Sequence, residues 1–254
     1  MLAALLAVAG LAIVAWFVRG GRGGMRALAT LDRGQARRRY RRTIARGVVA
    51  FGASSIVGLA LIGRLGALLR VPVELVPLRA PLLAVAEPAS YVDAAAIGIA
   101  AGEIVLMALL LVQRARGKGA GMPIGGAGLM PRDVGELRWA ALLAVTSGVV
   151  EELFFRLFLP LVMAMVIGYA VVGLGVAAAA FAAVHRYQGW RGMAATGAVG
   201  LVLAAVYLGS GCLWLAVAVH VAINLNALVV RPVVGGAVSF HHPGEGRRPV
   251  GGPQ

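Results

Sequence analysis

The sequence predicts an all-α, polytopic transmembrane helical bundle of about seven spans. Three observations carry that prediction: long apolar blocks, basic residues gathered in the segments between them, and proline and glycine at the joints. Of the 254 residues, 60% are hydrophobic and 13% are charged, about half the charged share of an ordinary soluble domain. Mean hydropathy is +0.88, and a soluble core of this length has no means of hiding so much apolar surface. The formal charge of +14 raises the question of nucleic acid. The arginines, however, sit beside apolar spans and no aromatic-rich basic surface interleaves with them, so no nucleic-acid partner is expected.

The first apolar run, Leu2 to Val18, lacks a preceding basic region and a small-residue cleavage site and reads as a retained span, not a signal peptide. The stretch from Arg19 to Arg46 holds Arg37, Arg38, Arg39, Arg41 and Arg42 against Asp32 alone. It is expected to be a short cytoplasmic loop beside anionic lipid. A second span is expected over about Val48 to Leu69, although Arg64 and Arg70 near its far end oppose it. The proline-rich connection that follows (Pro72, Pro77, Pro81, Pro88) has few basic residues, suits the outer side and has room for a short interfacial helix.

A third span over about Asp93 to Val112 ends in Arg114, Arg116 and Lys118, a second cytoplasmic basic loop that runs through a glycine-rich tract to Gly128. The fourth helix begins near Glu136 or Trp139 and its apolar pattern continues to Val166, with a break, kink or interfacial piece expected near Pro160. Spans five, six and seven cover about Tyr169 to His185, Met193 to Leu208 and Cys212 to Val230, joined by the polar stretch around Gln188 and by the turn Gly209, Ser210, Gly211. Residues 1–230 thus form one transmembrane domain, and 231–254 a flexible, basic, Gly/Pro-rich tail in which His241 and His242 are solvated. With the basic segments inside, seven crossings leave the N-terminus outside and the C-terminus in the cytoplasm. The single cysteine, Cys212, excludes an intrachain disulfide and reads as filler in an apolar helix.

Ionisable groups within spans cost about 2.5–3.5 kcal/mol each at the bilayer centre, so each calls for a partner or a function. Glu151 and Glu152 stand in succession between Val149, Val150 and Leu153, Phe154, Phe155. Arg156 follows Glu152 by four residues, the spacing at which the two meet on one helix face. Glu151, rotated by about 100°, has no such cation and is the freer carboxylate, available to take a proton from water. His185 ends an apolar run, with Phe181 one turn earlier to pack against its ring. His220 and Asn224 share a face of the seventh span, while Asn226 on another face reads as an interhelical hydrogen-bonding residue. Glu103 in span three is expected to pair with an arginine or to line a cavity. A base, two imidazoles and an amide donor together suit water-dependent acyl chemistry: deprotonating water, holding an oxyanion and protonating a leaving amine.

The order Glu151 Glu152 x x x Arg156, Phe181 x x x His185, His220 x x x Asn224 resembles the CPBP family of intramembrane proteases. That family includes type II CAAX prenyl endopeptidases, bacteriocin-processing and self-immunity proteins, and the abortive-infection relatives. The resemblance covers about Trp139 to Val230, the motif region; Leu157 departs from it, standing where many relatives have glycine. It implies that Glu151 and His185 activate the hydrolytic water, that His220 and Asn224 stabilise the oxyanion, and that Glu152 and Arg156 support them. A metal-free mechanism is favoured; if zinc were bound, Glu151, His185 and His220 would be its ligands. The function expected is an endopeptidase acting on a membrane-associated peptide or protein, in a bacterial inner membrane. The competing readings are a transporter or channel using the same polar path, and a noncatalytic immunity or scaffolding protein.

Overall fold

The computed structural model describes residues 1–20, 31–116 and 129–238, and among these there are helices and no strands. Seven long helical elements succeed one another: α1 (Leu2–Gly20), α2 (Arg33–Leu61), α3 (Pro88–Ala115), α4 (134–167), α5 (Ala170–Val184), α6 (Gly189–Ser210) and α7 (Leu213–Val234). Among the described residues five segments are long and apolar enough to cross a membrane: α1, α2, α7, residues 88–109 of α3, and α6 with its preceding turn. The apolar α5 is shorter, and α4 carries Glu151, Glu152 and Arg156 within it. The protein is an integral membrane protein, and Leu5, Val8, Ile97, Ile104, Leu201 and Val202 cover its exposed helical faces, as lipid-facing positions should.

The arginine-rich stretch is helical where a loop was expected. Asp32 caps α2 by accepting from the Gln35 amide at 2.8 Å while the Gln35 side chain returns to the Asp32 amide, a reciprocal box that nucleates the first turn. From there α2 runs unbroken through a π-helical segment, Val48–Ala53, to Leu61. It therefore begins well before Val48 and ends short of Leu69. Arginine is a good helix former, and the buried small and aromatic pair Ala36 and Tyr40, one turn apart, gives this basic segment a packing face against Ala140 and Leu143 of α4. Tyr40 also donates to the Leu129 carbonyl at 2.8 Å. The expected loop residues 21–30, the glycine-rich tract 117–128 and the tail residues 239–254, with His241 and His242, lie outside the described residues.

The connection from α2 to α3 holds short 3-10 turns, Leu65–Leu68 and Val73–Leu78, and one helical turn, Ala80–Leu83. Arg64 no longer opposes a span, because it lies beyond α2 and pairs with Glu74 at 2.5 Å. Arg79 donates instead to the Leu208 carbonyl at 2.8 Å. Cys212 is exposed and directly precedes α7, so it is not helix filler. The last helix continues past Val230 to Val234.

No break occurs at Pro160. A π-helical segment, Leu153–Phe158, immediately precedes it, and the Leu159 amide bonds back to the Phe154 carbonyl. Proline cannot supply the next α-helical amide and its ring crowds the preceding turn; the wider turn is where that misfit is absorbed. The real turn comes at Gly168, whose φ of 80° is left-handed and whose amide closes on Ala164 at 2.8 Å, a glycine cap that stops the helix. The hairpin α4–α5 that results is so close that a Cβ on Gly173 would lie 2.7 Å from the Pro160 carbonyl oxygen. Gly173→Leu should therefore lower stability by about 1–3 kcal/mol through overpacking against backbone, read as a depressed thermal transition in detergent. Gly175→Leu, which meets nothing within 4 Å, should leave the transition near wild type; equal effects at the two positions would contradict this account of the hairpin.

Candidate active site

The polar residues of α4, α5 and α7 converge on one cluster. On α4, Glu152 is fully buried and its Oε2 lies 3.2 Å from Arg156 Nε, as the four-residue spacing requires. Its Oε1 reaches across to His220 Nδ1 on α7 at 2.7 Å. The approach of the two helices rests on small residues: Ala144 and Ala216 are completely buried, and a Cβ on Gly148 would stand 2.6 Å from Val221 Cγ2 and 3.0 Å from its backbone nitrogen. Gly148 is thus the position at which α7 comes near enough for His220 to meet Glu152.

His185 caps the end of α5, and its Nδ1 lies 2.9 Å from the Phe181 carbonyl oxygen. A carbonyl only accepts, so Nδ1 carries the proton and Nε2 faces the cluster. The same logic applies to His220, whose Nδ1–H donates to the Glu152 carboxylate. Both free Nε2 atoms then face Glu151: each is 3.9 Å from Glu151 Oε2. Glu151 and His185 retain side-chain exposures of 15% and 13%, against zero for Glu152, so the cluster is open on the Glu151 side and sealed on the other. Phe181 sits at its centre, 4.8 Å from the His185 ring, 6.0 Å from the His220 ring and 4.0 Å beneath the Arg156 guanidinium. Phenylalanines 51, 154 and 155 extend this aromatic packing behind the cluster, and Leu157 is fully buried beside them.

Asn224 stands one turn beyond His220 and donates from Nδ2 to Ser147 Oγ at 3.1 Å and to the Ala144 carbonyl at 3.4 Å. Ser147 was not singled out from the sequence, although it lies four residues before Glu151 and hence on its face. A second polar chain, Thr196 to Gln188 at 3.0 Å and Gln188 to Tyr187 at 3.2 Å, holds the turn that follows His185. Asn226 reaches Glu103 of α3, the interhelical role expected of it. Glu103 therefore pairs with an amide, not with an arginine. Near the start of α4, the buried Glu136 is gripped by Arg132 at 2.6 Å; that hydrogen bond raises the Arg132 pKa above its ordinary value.

The separations around Glu151 are wider than a bound zinc would leave them. Two ligands of one tetrahedral zinc lie about 3.3 Å apart, whereas both glutamate–imidazole gaps are 3.9 Å. Among the described residues no group of three His, Cys, Asp or Glu is gathered to hold a metal ion. A gap above 3.5 Å between groups that would accept hydrogen bonds is the spacing a bridging water fills.

Arg156 and Glu152 are both buried, so removing one leaves the other's charge without compensation. Arg156→Met should cost about 3–5 kcal/mol of stability. Adding Glu152→Gln should return much of that loss, because two neutral side chains have no charge to desolvate. Thermal unfolding of the two single variants and the double variant tests the coupling; strictly additive losses would refute it.

Residues 133–226 match the family model described as type II CAAX prenyl endopeptidase Rce1-like. No curated protein and no solved structure matches the chain. The matched segment starts at the capping residue of α4 and contains Glu151, Glu152, Arg156, His185, His220 and Asn224. It coincides with the stretch in which the three motifs resemble the CPBP proteases. The segment that assembles the buried polar cluster is thus the segment similar to the Rce1-like type II CAAX prenyl endopeptidase family, a protease family, and it is carried here by an integral membrane protein.

Proposed function

We propose that this protein is an intramembrane endopeptidase that hydrolyses a peptide bond in a membrane-associated peptide or protein with water activated by Glu151 and His185. The observation that carries the reading is the convergence on one water-sized gap of Glu151 Oε2 and the Nε2 atoms of His185 and His220, each nitrogen 3.9 Å from the carboxylate. Three acceptors facing one another call for a donor between them, and water supplies two protons.

In this reading Glu151 takes a proton from the water while the water oxygen attacks the scissile carbonyl, with His185 fixed by Phe181 to orient the attack. The tetrahedral oxyanion is met by Asn224 Nδ2, which exchanges its bond to Ser147 Oγ for one to the oxyanion, on the side of the site that His220 lines. The buried Glu152 carboxylate holds the His220 ring through Nδ1, and Arg156 lies beside that carboxylate. The proton on Glu151 then passes to the leaving nitrogen as the C–N bond breaks, giving a carboxylic acid and an amine. No step requires a metal ion. The excess of basic residues supports a cytoplasmic side for the arginine-rich end of the bundle, our reading being a bacterial inner membrane, and the substrate class is left at membrane-associated peptides because the cluster's chemistry reads a peptide bond, not a lipid modification.

Purified protein with candidate peptides provides the test. Glu151→Gln should lower the hydrolysis rate by at least about 10²–10⁴-fold, the range typical of a lost general base, and His185→Ala should do likewise. Asn224→Leu should cost about 10²–10³-fold, the loss associated with one oxyanion donor. Glu151→Gln expressed in membranes should trap the uncleaved substrate for identification. Undiminished cleavage by Glu151→Gln would sink the proposal, as would activity that disappears with a chelator and returns with added zinc. Substrate uptake into vesicles without cleavage would point to transport instead.

A further inference from the structure

Four arginines in the first half of α2 present charge that no described residue answers. Arg37, Arg38, Arg41 and Arg42 are all exposed and make no ion pair with a described residue. The acids at that end of the bundle are already engaged. Asp32 caps α2, Asp133 pairs with Arg33 at 3.3 Å, and Glu136 pairs with Arg132. The neighbouring sequence, residues 21–30 and 117–128, adds Arg22, Arg26 and Lys118 and no acid. The array is also held in place, because Ala36 and Tyr40 on the opposite face of α2 pack into α4.

Its height selects the partner. The 29 residues of α2 span roughly 43 Å at the α-helical rise, well beyond the roughly 30 Å hydrocarbon core and close to the 40–45 Å of a bilayer with its headgroups. Trp16 of α1, half exposed and stacked under the Arg46 guanidinium at 4.8 Å, marks the interface, where tryptophan and arginine anchor helices. The four arginines lie four to nine positions beyond Arg46, roughly 6–14 Å of rise. That is the headgroup layer and about one Debye length above it. Guanidinium groups there match phosphate oxygens in bidentate geometry.

We infer that the exposed face of α2 is a docking surface for anionic phospholipid headgroups, which bind in the layer beside the start of α4 and complete the charge balance of that end of the bundle. The full chain reconstituted in nanodiscs of phosphatidylcholine, with and without phosphatidylglycerol, tests this when the lipids retained after mild detergent extraction are weighed by native mass spectrometry. Wild type should retain phosphatidylglycerol over phosphatidylcholine, with retention falling as salt rises. Each single arginine-to-alanine change should weaken it roughly fivefold. The quadruple variant R37A/R38A/R41A/R42A should lose the preference, and the four-lysine equivalent should recover most of it. A thermal transition in neutral discs matching wild type checks that the variants fold. An unchanged phosphatidylglycerol preference in the quadruple variant would overturn the inference. So would displacement of the lipid by a soluble polyglutamate peptide at comparable concentration, which would reassign the face to an acidic protein partner.

Discussion

The structure is organised around one carboxylate that cannot be solvated. Glu152 is completely buried, and a buried charge survives only with partners that meet it at hydrogen-bonding distance. Arg156 on its own helix lies within ion-pair distance at 3.2 Å, and His220 on α7 hydrogen-bonds it. The first contact is local and follows from helical spacing. The second is long-range and can form only if α4 and α7 come nearly to backbone contact, which is why Gly148, Ala144 and Ala216 stand between them. Such a pair contributes little net stability, because desolvating the charges offsets their attraction. Dispersion among the phenylalanines and close approach of small residues must hold the helices together. What the charges add is register, since sliding α7 along α4 would strand Glu152 in an apolar interior.

The hairpin sets the other dimension. Glu151 and His185 lie equally far from Gly168, seventeen positions before it and seventeen after (151 to 168, 168 to 185). Two antiparallel helices rising equally per residue from one turn bring such residues to the same height, roughly 25 Å from the bend. Glu151 lies deep within its span and His185 near an end of its own, a difference that helix tilt or a break near Pro160 would otherwise have to make up. The helix instead continues through a π-helical turn and bends at Gly168, so no break is needed to level them.

These cases separate what a sequence displays from what it conceals. The apolar blocks, the i, i+4 pairing of Glu152 with Arg156 and the packing of Phe181 on His185 are local consequences of helical periodicity, and each was legible. The join between Glu152 and His220 spans 68 positions, and periodicity on one helix is silent about which face of another it meets. Ser147 was hidden because a serine in a helix ordinarily bonds its own backbone; only α7 reveals it as the partner of Asn224. The helical state of the arginine-rich stretch was concealed by its charge, which outweighed the signals that were present: the Asp32 and Gln35 box and the buried Ala36 and Tyr40 one turn apart. Glu103 and Asn226 were each noticed, but a carboxylate invites an arginine, and their meeting across α3 and α7 follows from topology alone.

The contrast between adjacent glutamates carries the chemical argument furthest. Both face a bundle interior, yet Glu152 has no exposure and two cationic or donor partners, while Glu151 keeps an opening to solvent and stands 3.9 Å from two imidazole nitrogens. A carboxylate packed between two neighbours in a sealed interior has no room beside it for water. One left with a water-sized gap retains both the lone pair and the room to accept a proton. The one-residue step along α4, about 100° of rotation, is what turns one carboxylate toward the sealed interior and the other toward the opening. Under the proposed mechanism, burial and partners support Glu151 as the base and Glu152 as the group that holds His220, and exchanging the two roles would require a rotation of α4 that its contacts with α7 oppose.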